Sequence, residues 1–448
     1  MSSPKAFLQI NPQIETSHSG NEKSLAFSTA RTRWPRIIAW ALIDVHQTSI
    51  APERTELERK DGNLAESELR QLLSELGRNQ DIRPLRSDGA SDIASFNAEL
   101  KFLGRMTWYH SPWLFTECYL YRFIQTCFSR RKTRFWIEYD VFGHEKNSSL
   151  RGAKTSVVEL VQFLDTAINA SQADAPVNKG DPKALFEEML QTSLWGNSEA
   201  NREARQLFKR NVVDDDTEIV WSLLSGFKHA ERHREIHVVL NNAGIELIAD
   251  LVFVVYLLDA NYASKVVLHG KAFPWFVSHA TVHDLKFTMQ TLQNASFDGE
   301  VAKDEASKLK RFGTRISQHL HSGQLRYKAH SFWTTQHGFA RMPEHAPDLW
   351  AQLGRSDLVI FKGDLNYRKL VMDGLWPCTT TFQRAIGKLG QYPTESETGI
   401  RILSLRTCKA DTVVGLAAGK EKEVDPEGTG EWTRDGKFAV ISYYDGKS

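Results

Sequence analysis

Polar side chains follow the ends of two apolar segments and could bind an anion or move protons. The apolar run 236–240 leads into Asn241 and Asn242, and Glu246 follows within a helical pattern. The segment 273–285 places His279 and His283 four residues apart. In an open α/β sheet, backbone amides and helix N-termini converge outside the carboxyl ends of the strands. The corner after residue 240 is therefore the first candidate for a ligand site.

Further charged groups follow two later apolar runs. The run 357–364 and the run 400–407 both end in polar residues. Because parallel strands end at one edge of a sheet, these residues are expected to share one pocket with the first corner. Cationic side chains there would donate charge-assisted hydrogen bonds to an anion. The candidate substrate-binding residues are Asn241, Asn242, Lys362, Asn366, Arg368, Arg406 and Lys409, and the candidate catalytic residues are Glu246, Asp364 and His279.

The elements that would position these residues change character along the chain. Apolar residues recur at helical intervals in 91–106, 111–128 and 154–169, with Ser91 and Ser111 as expected N-caps. After about residue 231, short β-branched runs alternate with helical segments, which predicts a buried, mainly parallel sheet. The predicted fold is α/β: a flexible N-terminal arm (1–33), a helical lobe (34–230) packed on an α/β/α doubly wound sheet, and an α/β lobe with the pocket (231–448). Turn residues in the last 28 residues predict an edge hairpin.

Composition narrows the class of protein. The 448 residues are 41% hydrophobic and 10% aromatic, which suffices for a globular protein with more than one lobe. The net charge of +1 gives no overall attraction to nucleic acid or membranes. Four cysteines without paired metal spacing fit a reducing compartment, and no apolar run approaches the length of a membrane span. We therefore expect a cytoplasmic protein without membrane contact or a stable protein partner.

Several blocks of the sequence resemble the damage-control phosphatase family, specifically its third subfamily, which includes proteins described as acidic-residue methyltransferases. The blocks occur in the family's order and are SPWLFTECYLYR, SLWGN, NNAGIELIADLV, PWFVSHATVHD, FKGDLNYRKL and RTCK. The resemblance implies a helical lobe on an α/β/α sheet. It also implies a divalent metal, such as manganese, held by an Asp-Asn pair after the first strand and by an Asp after PWFVS.

The chain departs from that metal-binding pattern. Asn241 stands where the resemblance implies the first Asp, His279 stands where it implies the second, and Asn242 is kept. A hard cation prefers anionic oxygen ligands, so Mg²⁺ or Mn²⁺ should bind poorly. His279 with His283 has a spacing seen in zinc sites, but no third anionic ligand is evident. The expectation is that no cofactor is required.

The chain also resembles a fungal group of arginine-containing cyclodipeptide synthases, which are divergent relatives of this fold. A pocket that is kept without its metal ligands would suit their reaction. That similarity implies condensation of arginyl-tRNA with a second aminoacyl-tRNA, as a step of alkaloid biosynthesis. Aminoacyl esters are already activated, so the reaction needs positioning, a base and oxyanion stabilisation. Glu246 or Asp364 would hold the arginine or accept the amine proton, and His279 would shuttle protons.

Charged tRNA partners require basic surface, and two runs could provide it. The candidate tRNA-binding residues are Arg130, Arg131, Lys132, Arg134, Lys308, Lys310 and Arg311, with aromatic residues nearby for stacking. Taken alone, either run is better explained as a solvated helix end. The preferred hypothesis is the cyclodipeptide synthase. A metal-dependent phosphatase acting on sugar phosphates and a non-catalytic binding protein stay open as alternatives.

Overall fold

One seven-stranded sheet organises the second half of the chain. The computed structural model describes residues 14–171, 181–196, 209–228, 233–390 and 399–446. The strands are β1 (Val212–Asp215), β2 (Glu235–Val239), β3 (Lys265–Gly270), β4 (Leu325–Ala329), β5 (Leu358–Lys362), β6 (Ile402–Thr407) and β7 (Ala439–Tyr444). Their order is β1-β7-β6-β5-β2-β3-β4, and every neighbouring pair is parallel except β6 and β7. The predicted mainly parallel sheet is confirmed.

Helices cover both faces of this sheet because its central strands are apolar on both sides. β5 is buried at every position, and the helix Ile245–Asp259 is buried throughout 246–258. A helix that is apolar all round must lie inside the protein. The helices of the sheet lobe are Lys154–Ser171, Pro182–Leu194, Thr217–Lys228, Ile245–Asp259, Val282–Asn294, Lys303–Ser322, Met342–His345, Pro347–Gly354, Gly363–Leu370, Phe382–Ala385 and Lys420–Val424.

The N-terminal lobe is helical and has its own apolar core. Its helices are Leu25–Ser28, a π-helical segment Thr29–Arg33, Trp34–Ile50, Glu56–Gly77, Asp92–Leu103, Trp113–Ser129, Arg134–Ile137 and Gly143–Gly152. The helix Trp113–Ser129 is its most buried element and also contacts Trp275 and Phe276 of the sheet lobe through this shared core. The expected helical lobe packed on a sheet is therefore observed.

The lobe boundaries differ from those the sequence predicts. β1 precedes residue 231 yet pairs with β7, and the helix Lys154–Ser171 packs in the core of the sheet lobe. The helical lobe therefore ends earlier than residue 230. Residues 14–33 of the expected arm pack against the rest, since Ser17 and Ser19 are buried; residues 1–13 lie outside the described ranges.

Two local predictions are wrong. The expected edge hairpin is not formed, because β7 lies between β6 and β1 inside the sheet. The cap position expected for Ser111 is taken by Pro112, whereas Ser91 is the N-cap of Asp92–Leu103, as predicted, without a side-chain capping hydrogen bond. In the ranges that the structure describes, no helix is both long and apolar enough to cross a bilayer.

Candidate active site

The corner after β2 is built around one carboxylate. Glu246 lies in the first turn of the helix Ile245–Asp259 and is 4% exposed. Asn241 donates from Nδ2 to Oε1 of Glu246 at 3.0 Å, and Asn242 donates from Nδ2 to Oε2 at 2.7 Å. Gly363, with φ of 82°, lies so close that a Cβ there would come within 2.2 Å of the Asn241 side chain. The two amides and the carboxylate are therefore fixed as one unit.

A strained loop brings His279 beside this unit. Residues Asn242 and His279 form an isolated antiparallel bridge, and Ala280 N–H donates to the Asn241 carbonyl at 2.8 Å. Phe276 and Val277 have φ of 48° and 65°, which is costly for non-glycine residues. Strain of this kind persists only where the surroundings fix the backbone, so the loop holds the imidazole firmly in place.

The His279 imidazole is neutral and lacks a partner for one nitrogen. It is 4% exposed and lines the cavity, and its Nδ1 is buried without a hydrogen bond. Burial lowers the pKa of His279 well below 6.5, and the charges of Lys271 and Lys369 lower it further. A neutral imidazole among cations can accept a proton once an anion offsets those charges.

Two of the expected cations that line the cavity are neutralised within the protein. Lys362 contacts Asp250 at 3.0 Å, where both side chains are at most 2% exposed. Arg368 contacts Asp373 at 2.7 Å and Glu117 at 3.2 Å. These pairs shape the cavity wall, and their charges are already compensated.

Arg406 and Asn366 do not reach the cavity, contrary to the expectation. The fully buried Arg406 guanidinium contacts Asp364 at 2.8 Å and donates to the Ala410 carbonyl. Asn366 is fully buried and donates from Nδ2 to the carbonyls of Val239, Leu240 and Lys362. Both residues stabilise the strand ends, so their predicted substrate contacts need correction.

The remaining polar groups surround one cavity of about 180 Å³. The fold brings most of the predicted site residues together in its lining, which includes Asn241, Asn242, Glu246, His279, Lys362, Asp364, Arg368 and Lys409. It also includes Arg33, which the sequence analysis assigned to the arm. Arg33 reaches the cavity through packing between segments distant in sequence, which no local sequence pattern indicates.

The donor set does not fit a divalent cation. The Asn242 Oδ1 accepts a 2.7 Å hydrogen bond from Ser278, and both Glu246 oxygens accept amide hydrogens. Asp364 Oδ1 accepts from Arg406 and from the Lys409 N–H. In the described part of the chain, no group of three His, Cys, Asp or Glu side chains could hold a metal. Mg²⁺ and Mn²⁺ require anionic oxygens that are free to coordinate.

The two histidines considered for zinc also differ in environment. His279 is buried at the cavity, whereas His283 is exposed near the start of the helix Val282–Asn294. Two ligands in such different settings cannot share one tetrahedral ion without rebuilding the loop.

The two basic runs are largely compensated. Arg130 and Arg131 both contact Glu68, Arg134 contacts Glu138 and Lys308 contacts Asp304. Arg311 contacts Asp165, and the side chains of Lys132 and Lys310 are exposed. Phe128 stacks on Trp136, and Phe135 meets Trp136 edge-on, within the helical lobe. The aromatic residues expected to stack on bases therefore pack inside the protein.

Comparison with known proteins identifies the family. A family model described as the damage-control phosphatase ARMT1-like domain matches residues 29–424. This chain belongs to that family. It is similar to damage-control phosphatase ARMT1 of Xenopus tropicalis, with 32% identity over 94% of this chain and 96% of the relative. The protein of the same name from Homo sapiens is 30% identical over 96% of this chain and 98% of the relative.

A solved structure has a more distant likeness. The crystal structure of a DUF89 family protein from Pyrococcus horikoshii covers 93% of this chain and 96% of its own, with 14% identity and a TM-score of 0.38.

These comparisons overturn the preferred hypothesis from the sequence. The relatives over nearly the whole chain are named as phosphatases. The expected cyclodipeptide synthase, its arginyl-tRNA and second aminoacyl-tRNA partners, and its role in alkaloid biosynthesis are therefore wrong. Similarity to the synthases rested on the missing carboxylates, and loss of metal ligands alone does not define a new reaction.

Proposed function

We propose that this chain is a phosphatase that hydrolyses the phosphate ester of a small phosphorylated sugar. The observation that carries the proposal is the strand-end cavity, where the N-terminus of the helix Gly363–Leu370 meets Glu246, His279 and Lys409. Helix N-termini and cations favour phosphate, and carboxylate and amide oxygens suit sugar hydroxyls. The relatives' name, damage-control phosphatase, supports the same reaction type.

The residues present suggest how the proton transfers are divided. Each Glu246 oxygen accepts one amide hydrogen and keeps a second lone pair, so the carboxylate can take a proton from an attacking water. The water oxygen then bonds to phosphorus as the ester oxygen leaves. A bound phosphate dianion offsets the cations near His279, which allows that imidazole to take up a proton and donate it to the leaving oxygen.

The change of two anionic ligand positions supports a reaction without a metal. The family pattern implies a divalent ion held by two aspartates, whereas Asn241 and His279 stand at those two positions here. The proposal therefore includes no metal-dependent step.

The test is phosphate release from a panel of hexose and pentose phosphates, with EDTA and with added Mn²⁺. We expect release in EDTA, and we expect His279→Asn to lower kcat at least about tenfold. His283→Asn is the matched control, because His283 lies four residues away but is exposed. Equal losses in both variants would contradict the role of His279.

Two other outcomes would change the conclusion. Release that depends strictly on Mn²⁺ would show that the donor set rearranges around a metal. Tight binding of a sugar phosphate without any release would favour the non-catalytic binding protein.

A further inference from the structure

Arg33 is a cation that the proposed reaction does not yet use. It ends the π-helical segment Thr29–Arg33, and such segments occur frequently at functional sites. Its side chain is exposed and lines the cavity, and its charge acts on the His279 pKa. Across the described ranges, no carboxylate pairs with it. Arg33 therefore reaches the site with its charge uncompensated.

Lys409 is the second such cation, and it comes from a part of the sequence far from Arg33. It is exposed and lines the same cavity. Its backbone N–H donates to Asp364 at 3.1 Å, but that carboxylate is neutralised by Arg406. Among the described cavity residues, the acids Glu117 and Asp364 have arginine partners, so only Glu246 opposes the two free cations.

One carboxylate ties the segments that carry these cations to each other. Asp411 lies two residues after Lys409 and accepts from the Ser24 hydroxyl at 2.9 Å and from the Leu25 N–H at 3.1 Å. Ser24 is the N-cap of the helix Leu25–Ser28, which runs directly into the π-helical segment. Arg434 contacts Asp411 at 2.6 Å and fixes its orientation.

We infer that Arg33 and Lys409 form a two-cation clamp for the dianionic phosphoryl group, with Asp411 as the positioning residue that sets their separation. The inference rests on the proposed function for its substrate, and it assigns a binding residue and a positioning residue to the same cavity. A phosphoryl group between two cations gains two charge-assisted contacts, and its dianion is favoured over the monoanion.

The first test is calorimetric titration of the full chain with inorganic phosphate. We expect Arg33→Ala to raise Kd about tenfold, as loss of one charge-assisted contact implies, and Arg33→Lys to restore part of it. The control is Arg36→Ala, because Arg36 is exposed on the adjoining helix and lies over the Trp40 ring at 5.4 Å. An unchanged Kd in Arg33→Ala would overturn the clamp.

The second test concerns the tether. We expect Asp411→Asn to raise the KM for a sugar phosphate several-fold while leaving kcat within about twofold, because binding is disturbed and the proton-transfer groups are not. Ser24→Ala removes one of the same contacts and should shift KM in the same direction, which covers the case in which Asp411→Asn does not fold. Phosphate affinity and KM equal to those of the unmodified chain in both variants would overturn the positioning role.

The outcomes also separate the clamp from the proposed function. If inorganic phosphate binds and Arg33→Ala weakens it, while no sugar phosphate is hydrolysed, the clamp stands and the phosphatase proposal fails. If hydrolysis proceeds and Arg33→Ala alters neither Kd nor KM, the phosphatase proposal stands and the clamp fails.

Discussion

Asn242 donates a 2.7 Å hydrogen bond from its side-chain amide to Oε2 of Glu246, and this contact makes the acid of the candidate site a structural acceptor as well. The neighbouring Asn241 amide donates to the other oxygen at 3.0 Å. A carboxylate is the group that accepts at both oxygens, so two amides and one acid satisfy each other in a buried corner. Glu246 therefore contributes to the stability of the folded chain as well as to the proposed reaction.

Replacement of the acid should therefore affect both properties. In Glu246→Gln the new NH₂ group faces an asparagine amide, which leaves buried donors without acceptors. We expect the free energy of unfolding to fall by about 1–3 kcal/mol in urea, and phosphate release to fall at least about tenfold. Asp348→Asn is the control, because Asp348 is also a first-turn acid but its side chain is 75% exposed. If both variants lose stability equally, the helix dipole explains the effect.

The metal-ligand positions can be tested by restoring the acids. The double variant Asn241→Asp with His279→Asp places new carboxylates beside Glu246. Without metal, repulsion between buried acids should lower the melting temperature. With Mn²⁺ at about 100 times its Kd, binding should return about 2.7 kcal/mol of stability, while the unmodified chain should gain none. A double variant indifferent to Mn²⁺ would show that these two positions are not the ligand positions.

Lys271 gives a pH dependence with a defined sign. It is fully enclosed, contacts the Leu240 carbonyl and Asn366 at 3.3 and 3.4 Å, and burial lowers its pKa to about 7. Between pH 7 and pH 10.5 the unfolded chain binds more protons at this lysine than the folded chain, so folding stability rises with pH. Lys271→Met should remove that rise, on the order of 5 kcal/mol, from urea unfolding measured across the range.

The control for this measurement is Lys437→Met, because Lys437 is 75% exposed. Subtracting the control leaves the contribution of the buried amine. Parallel stability curves for Lys271→Met and the unmodified chain would mean that Lys271 is charged in the folded protein at pH 7.

The buried pair of Lys362 and Asp250 should be costly to break. Burial raises the pKa of Asp250 to about 6, although Lys362 and Ser193 stabilise its charge. Lys362→Met leaves that acid without its cation, and we expect a loss of about 3–5 kcal/mol in unfolding free energy. Adding Asp250→Asn should recover part of the loss. If the double variant is less stable than Lys362→Met, then Ser193 and the helix Ile245–Asp259 stabilise the Asp250 carboxylate without Lys362.

The sequence predicted the inner strands of the sheet and missed its edges. The runs that become β2, β3, β5 and β6 are mostly apolar on both faces, a pattern that is typical of buried parallel strands. β1 (VVDD) and β4 (LRYKA) lie at the two edges and carry charged residues. Edge strands are commonly protected by charge, which removes the apolar run that signals a strand.

The sequence predicted which strand ends line the cavity, but it could not predict which charged side chains pair with one another. Strand ends located the cavity, because topology brings them to one edge. Pairing could not be predicted, since Arg368 contacts Glu117, 251 residues earlier, and Lys362 contacts Asp250 on a different element. Arg33 was missed for the same reason, because its position depends on packing between distant segments.

The hydrogen bond between Ser24 and Asp411 joins residues 387 positions apart, so it can form only after most of the chain has been synthesised. A ribosome adds about 5–20 residues per second, so on the order of 20–80 s pass between the synthesis of Ser24 and the synthesis of Asp411. During that interval the nascent chain has Arg33 but lacks Lys409, so it holds only one cation of the proposed clamp. The proposed two-cation clamp would therefore be complete only after Lys409 has been synthesised, and a product truncated before Lys409 would lack one of its two cations.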